Sequence, residues 1–365
     1  MIRAAVLNAP NAPISVEGFS EPELRSGEIL LKTIYSEVCG TDVHLKNGRL
    51  ADVPYPIIPG HFCVGVAEKV YGQVRTVAGQ HVLEGDVITF LDVHGTCHRC
   101  WSCLVDKAVT KCPSRRVYGV THSTTDGLLG GWAEKVLIQS DVAVAHLPAG
   151  VTPLRFIAGG CALPTGIHAV ERARVGLGDL VVIQGAGPVG ICAGIAAYRS
   201  GAEDIYIAEK SAARLQAARD FGFKVIALDA DSKNSTEAFA NMTNGRKADV
   251  VIEASGTPVA IQQGFDFIRD GGRYAIAGHY TNAGDIPINP HLNINKKHLE
   301  ILGTWGIEYS HFHKALALMS AGVVTPSQVP LEKIVTKSYK LSEADEALRD
   351  VEKASVVKAV IIPSE

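Results

Sequence analysis

The run Val181-Val182-Ile183-Gln184 leads straight into Gly185-Ala186-Gly187-Pro188-Val189-Gly190 and then into an apolar, helix-like stretch. A lone G-x-G-x-x-G is weak evidence, but between a buried-type strand and a helix it restricts the fold strongly. Gly185 permits the tight turn, Gly187 lets the backbone approach a pyrophosphate, and Gly190 lets strand and helix pack closely. Pro188 and Val189 open a helix whose free N–H groups and positive dipole end face the phosphates. The next strand, DIYIAE, ends in Glu209, 19 residues past Gly190. A carboxylate there accepts hydrogen bonds from the adenosine ribose hydroxyls and repels a 2′-phosphate, which favours NAD over NADP; Lys210 and Arg214 stand close enough to blunt that repulsion. The alternative is a packing loop with a surface glutamate.

The surrounding pattern agrees. LVVIQ, DIYIAE, KVIAL, DVVIEAS, RYAIAG and LEILGTW alternate with helical stretches such as SAARLQAARDFG and TPVAIQQGFDFIRD. Strands spaced by helices predict a doubly wound parallel sheet. Before it, EILLKTIYSEV, CVGVAEKV, GDVITFLDV and WAEKVLI are short β-rich runs between Gly and Pro turns, the look of a bent, mainly antiparallel domain. A helical HFHKALALMSAG and a strand-like VVKAVIIP close the chain. At 365 residues two domains are expected.

With 35 Lys and Arg against 38 Asp and Glu there is no basic excess to attract nucleic acid or an anionic membrane. The longest apolar stretch, Leu180 to Tyr198, is broken by glycines, a Gln and a Pro, unlike a spanning helix. No secretory signal is visible at MIRAAVLNAP, so a cytoplasmic location is expected, and disulfides are not.

The eight cysteines therefore need another role. Cys97, Cys100, Cys103 and Cys112 form C-x2-C-x2-C-x8-C, and four thiolates so close suit one closed, tetrahedral, structural Zn²⁺. An iron–sulfur cluster also uses C-x2-C-x2-C, and Pro113 follows Cys112 as in ferredoxins, but the last gap there is shorter. Cys39 in VCGTDVH, His61 in IPGHFCVG and Cys161 in GGCALPTG are each unremarkable alone, since a buried Cys is usually a small hydrophobe. Together they make a two-Cys, one-His set that leaves a fourth zinc position open.

In their order, CGTDVH, PGH, the four-cysteine loop, GGWAE, CALPTG, GAGPVG and Glu209 resemble the zinc-containing medium-chain alcohol dehydrogenase family over essentially the whole chain. The resemblance implies a mainly β, GroES-like catalytic domain from residues 1–162 plus 306–365, with a Rossmann NAD domain, 163–305, inserted. It implies two zincs per chain, NAD, a small alcohol or ketone substrate and a homodimer or homotetramer. By position, Cys39, His61 and Cys161 would hold the catalytic zinc. Asp42 would take the other ring N–H of His61, Thr41 would hydrogen-bond the alcohol, and His44 would pass its proton to solvent. Thr41, Asp42 and His44 also suit an ordinary helix start, with Thr or Asp as the cap.

Two departures stand out. The family usually places Glu after the metal-binding His, where it is thought to take part in ligand exchange; this chain has Phe62. The four-cysteine loop is one residue longer before Cys112. Val93, Phe62, Trp132 and Trp305 suggest an apolar pocket for a bulky or cyclic secondary alcohol, although each aromatic would equally suit a core. The competing readings are a polyol or amino-alcohol dehydrogenase, whose relatives tend to carry Glu where this chain has Cys161; a double-bond reductase, which would normally dispense with the catalytic ligands; and a non-catalytic NAD-binding relative.

Overall fold

The computed structural model describes residues 1–228, 232–322 and 325–365, with only the backbone of Ser232 and Lys233. The chain divides into two compact units. The first comprises Met1–Gly160, Ile307–Ser320 and Val335–Glu365; the second comprises Cys161–Gly306 and Ala321–Ile334. The sequence places the insertion at 163–305 and residues 306–365 with the first domain. Here 321–334 groups with the second unit.

The first unit is built round the strand Ile29–Val38. It pairs antiparallel with Cys63–Val70, Lys135–Ile138 and Lys358–Ile361. Val87–Phe90, Val144–His146 and Val335–Tyr339 complete the sheet. The register with Cys63–Val70 shifts twice, at Leu30/Leu31 and at Thr33/Tyr35; such bulges bend and twist a ladder. One core packs Ile29, Leu31, Ile88, Phe90, Tyr118 and Val136. A second packs Val38, Val43, Trp132, Leu348 and Ile361.

The second unit is a six-stranded parallel sheet in the spatial order Lys224–Ala227, Asp204–Glu209, Leu180–Gln184, Ala248–Glu253, Ile268–Ile276, Glu300–Gly303. Numbered along the chain that order is 3-2-1-4-5-6, the arrangement of a Rossmann fold. All six strands coincide with runs read from the sequence. The reason is physical: strands covered by helices on both faces become nearly continuous apolar runs, and Leu180–Gln184 and Ala248–Glu253 are buried throughout. One boundary differs. The helix read through Asp270 stops at Phe267, and the chain passes directly into the strand Ile268–Ile276. No described helix is long and apolar enough to cross a membrane.

One polar contact ties this core together. The buried Tyr274 hydroxyl donates to Gln184 Oε1 at 2.9 Å, while Gln184 Nε2 donates to the carbonyl of Ala260 at 2.6 Å. Tyr274→Phe should leave a buried acceptor less satisfied and destabilise the unit by about 1–3 kcal/mol. The urea midpoint measures it, and an unchanged midpoint would show that the contact contributes nothing.

Candidate functional site

The cofactor loop is shaped by what its glycines allow. Gly185 has φ +101°, a conformation L side chains rarely adopt. A Cβ at Gly190 would lie 1.8 Å from the carbonyl oxygen of Gly185. Gly187 caps the helix Pro188–Arg199, with Pro188 in its first turn and Val189 following. Among the described residues, a Cβ on Gly187 would meet within 4 Å only the Arg214 guanidinium, at 3.7 Å. Glu209, buried at the end of its strand, accepts from Ala186 N at 2.9 Å through Oε2, and from Lys210 N at 2.7 Å and Ser211 N at 2.9 Å through Oε1. The carboxylate thus braces the loop in addition to any ribose contact. A carboxylate has roughly four acceptor positions, so capacity for a hydroxyl remains. Burial pulls the Arg214 guanidinium below its usual pKa, against the attraction of Glu209.

The four loop cysteines converge. Their sulfurs all lie within 4.8 Å of one another, and every cysteine of the chain is free of a disulfide. Sulfurs about 2.3 Å from a tetrahedral zinc stand about 3.8 Å apart. Cys100 and Cys103 are 3.5 Å apart, Cys97 and Cys112 3.6 Å. The backbone N–H of Arg99 is the main cause drawing the Cys97 thiol down to about 6, which favours the thiolate. This donor set fits zinc. The lobe is anchored by a chain absent from the sequence reading: Asp141 accepts from Gly95 N at 3.0 Å and contacts His94 Nδ1 at 3.1 Å, and His94 Nε2 meets His122 Nε2 at 2.9 Å.

The second convergence joins Cys39, His61 and Cys161, and it adds Glu37; their ligand atoms also lie within 4.8 Å of one another. Cys39 is brought there by the end of the strand Ile29–Val38, and it caps the helix Gly40–Lys46. The cap is therefore the sulfur of Cys39, not Thr41 or Asp42. It accepts from Thr41 N at 3.3 Å, which stabilises a thiolate. His61 immediately precedes Cys63–Val70 by one residue, Phe62, and its Nε2 faces the cluster, 3.8 Å from Cys39 Sγ and 3.6 Å from Glu37 Oε1. Cys161 directly follows Gly160 in the chain.

Asp42 does not take the other ring nitrogen of His61. Its carboxylate accepts from Cys39 N at 2.9 Å and Gly60 N at 3.2 Å, fixing the backbone beside both ligands. His61 Nδ1 is buried and makes no hydrogen bond among the described residues. Burial alone would lower the His61 pKa; the Cys39 thiolate, Glu37 and Asp42 outweigh it and push the value well up. A buried point that so favours positive charge, ringed by two sulfurs and an imidazole, fits a divalent soft-to-borderline cation such as zinc.

Two residues read as possible pocket lining are core instead. Phe62 is fully buried, stacked on Phe156 at 6.4 Å and edge-on to Phe312 at 6.0 Å. Trp132 is fully buried too, and its indole N–H donates to the carbonyl of Glu37 at 2.9 Å. Trp305 is half-buried and stacks on Tyr280 at 5.6 Å; Val93 is buried. Sequence reasoning missed Glu37 and its partner Lys358, which lie 2.8 Å apart with almost no exposure. Lys358 is a lone charge in an otherwise apolar strand run, and that is the signal that would have revealed it; Glu37 shares its strand with Lys32 and polar residues and gives no such signal.

Known proteins share this architecture. Residues 25–149 match the model of the alcohol dehydrogenase GroES-like domain, and residues 188–321 that of the zinc-binding dehydrogenases. The chain is 32% identical to 5-exo-hydroxycamphor dehydrogenase of Pseudomonas putida over 98% of both chains. It is 28% identical to a sorbitol dehydrogenase of Bacillus subtilis, covering 95% of this chain and 92% of that one. The crystal structure of an alcohol dehydrogenase from Thermotoga maritima superposes with a TM-score of 0.92 at 29% identity, covering 99% of each chain. A zinc-binding dehydrogenase of Sinorhizobium meliloti bound to NADP has the same fold, with a TM-score of 0.85 at 24% identity over 100% of this chain and 99% of that one. On this likeness, and with both clusters of cysteine and histidine donors assembled in its fold, the chain belongs to the zinc-dependent medium-chain alcohol dehydrogenase family.

Proposed function

We propose that the chain is an NAD-dependent alcohol dehydrogenase that oxidises a bulky or cyclic secondary alcohol to its ketone, or runs the reverse reduction. The observation that carries this is the three-donor set of Cys39, His61 and Cys161. These residues would hold a catalytic zinc, while Cys97, Cys100, Cys103 and Cys112 would hold a structural one. Zinc so held would supply acidity: it lowers the pKa of bound water from about 15.7 to about 7, on the order of 12 kcal/mol toward the anion at 1.36 kcal/mol per unit.

The remaining work falls to the protein. Cys39 and Asp42 hold the start of the helix Gly40–Lys46, and so fix Thr41 as the hydroxyl that positions the substrate oxygen. His44, on the same helix, is half-buried; burial first, and then Arg49, lower its pKa. At neutral pH it is thus the neutral form that can accept a proton. Gly185, Gly187 and Gly190 leave room for the pyrophosphate, and Glu209 would orient the ribose. Arg214, beside Gly187 and Glu209, leaves NADP a weaker entry. The cyclic-alcohol reading draws on the relative named for a hydroxycamphor. The sorbitol and arabinitol relatives, at 27–28% identity, favour a polyol as the second reading.

Absorbance at 340 nm across primary, cyclic secondary, aromatic and polyol alcohols, with NAD or NADP, separates the two readings. We expect NADH to form with cyclic secondary alcohols and to stop with a zinc chelator; turnover confined to polyols would reverse the substrate assignment. Cys39→Ala should abolish turnover and leave the far-UV spectrum unchanged, whereas near-full activity would remove Cys39 from the site. Cys103→Ala should chiefly lower the melting temperature and release the loop metal; an unaltered melt would deny that metal a structural role. Glu209→Ala should move the NAD-to-NADP ratio of kcat/KM toward NADP by about 10- to 100-fold, the equivalent of roughly 1.5–3 kcal/mol of charged hydrogen bonding. Unchanged discrimination would end the role assigned to Glu209.

A further inference from the structure

The four-cysteine lobe joins the first unit through a narrow neck. Val93–His94 carries the chain out and Arg116–Val117 brings it back, and they pair through Val93 with Val117 and His94 with Arg116. So short a ladder is weak by itself, and side chains close it. His94 is buried where the outgoing strand ends, and His122 is buried in the turn after the returning one. Tyr118 packs against both rings, at 5.2 Å and 5.9 Å.

The two imidazoles meet head to head, their Nε2 atoms 2.9 Å apart. Each Nδ1 looks outward to a carboxylate. That of His94 is 3.1–3.2 Å from the two oxygens of Asp141, which also accepts from Gly95 N at 3.0 Å. That of His122 is 3.8 Å from Asp126 Oδ2. A carboxylate accepts, so His94 carries its proton on Nδ1 and His122 donates from Nε2 to His94 Nε2. One added proton goes on His122 Nδ1, where it faces Asp126, and the bond between the rings survives. A second added proton has no site but the Nε2 that accepts this bond. Two N–H groups, each on a cation, would then confront each other.

We propose that His94 and His122 form an acid-sensitive latch on the neck of the four-cysteine lobe, closed with at most one added proton and opened by the second. Opening frees His94 and the hold that Asp141 keeps on Gly95, at the root of the lobe. Burial, then the charges of His94 and Arg116, lower the His122 pKa to about 4, against the pull of Asp126 and Asp141. Burial also lowers that of His94, against the pull of Asp141 and aided by Arg116. The parted rings return to the ordinary value of about 6.5, so the open neck binds more protons than the closed one. The latch therefore contributes fully above about pH 6.5, and its contribution is lost as the pH falls toward about 4. It acts on the neck, whatever alcohol the protein turns over.

Hydrogen exchange on the full-length, zinc-loaded protein tests this, with protection factors correcting for the pH dependence of intrinsic exchange. Val93–Cys97 should lose about 10- to 100-fold of its protection between about pH 7 and about pH 5, while Ile29–Val38 keeps its own. In His122→Gln the loss should stay within about threefold, because an amide can either donate to His94 Nε2 or accept from it. Protonation of the lobe's thiolates acts alike in both proteins. An equal loss in the two would therefore trace the effect to sulfur and overturn the latch, as would flat protection in the parent. If His122→Gln does not fold, ¹⁵N spectra of the parent's imidazoles decide. Two ring titrations more than about one pH unit apart, with neck protection lost at the lower one, support the latch. A single step near about 6.5, or protection indifferent to the lower step, overturns it.

Discussion

The ladder between Ile29–Val38 and Cys63–Val70 is the constraint on which the rest of the first unit depends. Its antiparallel pairing brings the end of one strand beside the start of the other, so Cys39 leaves the first strand close to where His61 enters the second. Neither residue has to be held by a long loop. The same central strand also pairs with Lys358–Ile361, so a segment more than three hundred residues away contributes Lys358 to the same place. A ligand site built on strand ends keeps its geometry because each end is fixed by hydrogen bonds that serve the fold anyway. The helix Gly40–Lys46 adds one more lock, since Asp42 bonds the backbone of both Cys39 and Gly60.

How much of this was legible depends on what kind of order the sequence carries. The central Rossmann strands Leu180–Gln184 and Ala248–Glu253 were readable because burial on both faces makes them nearly continuous apolar runs, and the glycines of the cofactor loop announce a backbone path other residues cannot follow. The β unit was only partly readable. Val335–Tyr339 is mostly exposed, and Val144–His146 is three residues long; neither has a period to detect. Cys39, His61 and Cys161 are spread along the chain and were joined only by their donor chemistry and the family resemblance, whereas the four-cysteine loop was legible because its spacing is tight. Glu37 was not, because a glutamate in a strand ordinarily faces water, and its inward turn follows from pairing that no local pattern encodes. Asp42 was placed near the correct atoms but bonded to the wrong ones: proximity in sequence put it beside the ligands, and the unsatisfied N–H groups of a helix start then claimed it.

Phe62 shows how one substitution redistributes these demands. An aromatic side chain at that point cannot face a cluster of sulfur and nitrogen donors without losing its packing, so it joins Phe156 and Phe312, and the three rings make a dry wall. That wall lowers the local dielectric, which strengthens attraction between buried opposite charges and raises the cost of an unpaired one. A carboxylate entering such a place must bring its own cation. Glu37 arrives with Lys358, on the neighbouring strand of the same sheet, and the space for the pair is the one that Gly160 leaves empty. The apolar residue after His61, the buried ion pair and the glycine before Cys161 therefore form one arrangement. Changing any one of them alone would leave the other two without their reason: a Cβ at 160 would displace the carboxylate, and loss of Glu37 would take a counter-charge from the buried Lys358. The electrostatics around Cys39, His61 and Cys161 are thus set as much by the layer behind them, drawn from three separate segments, as by those three residues themselves.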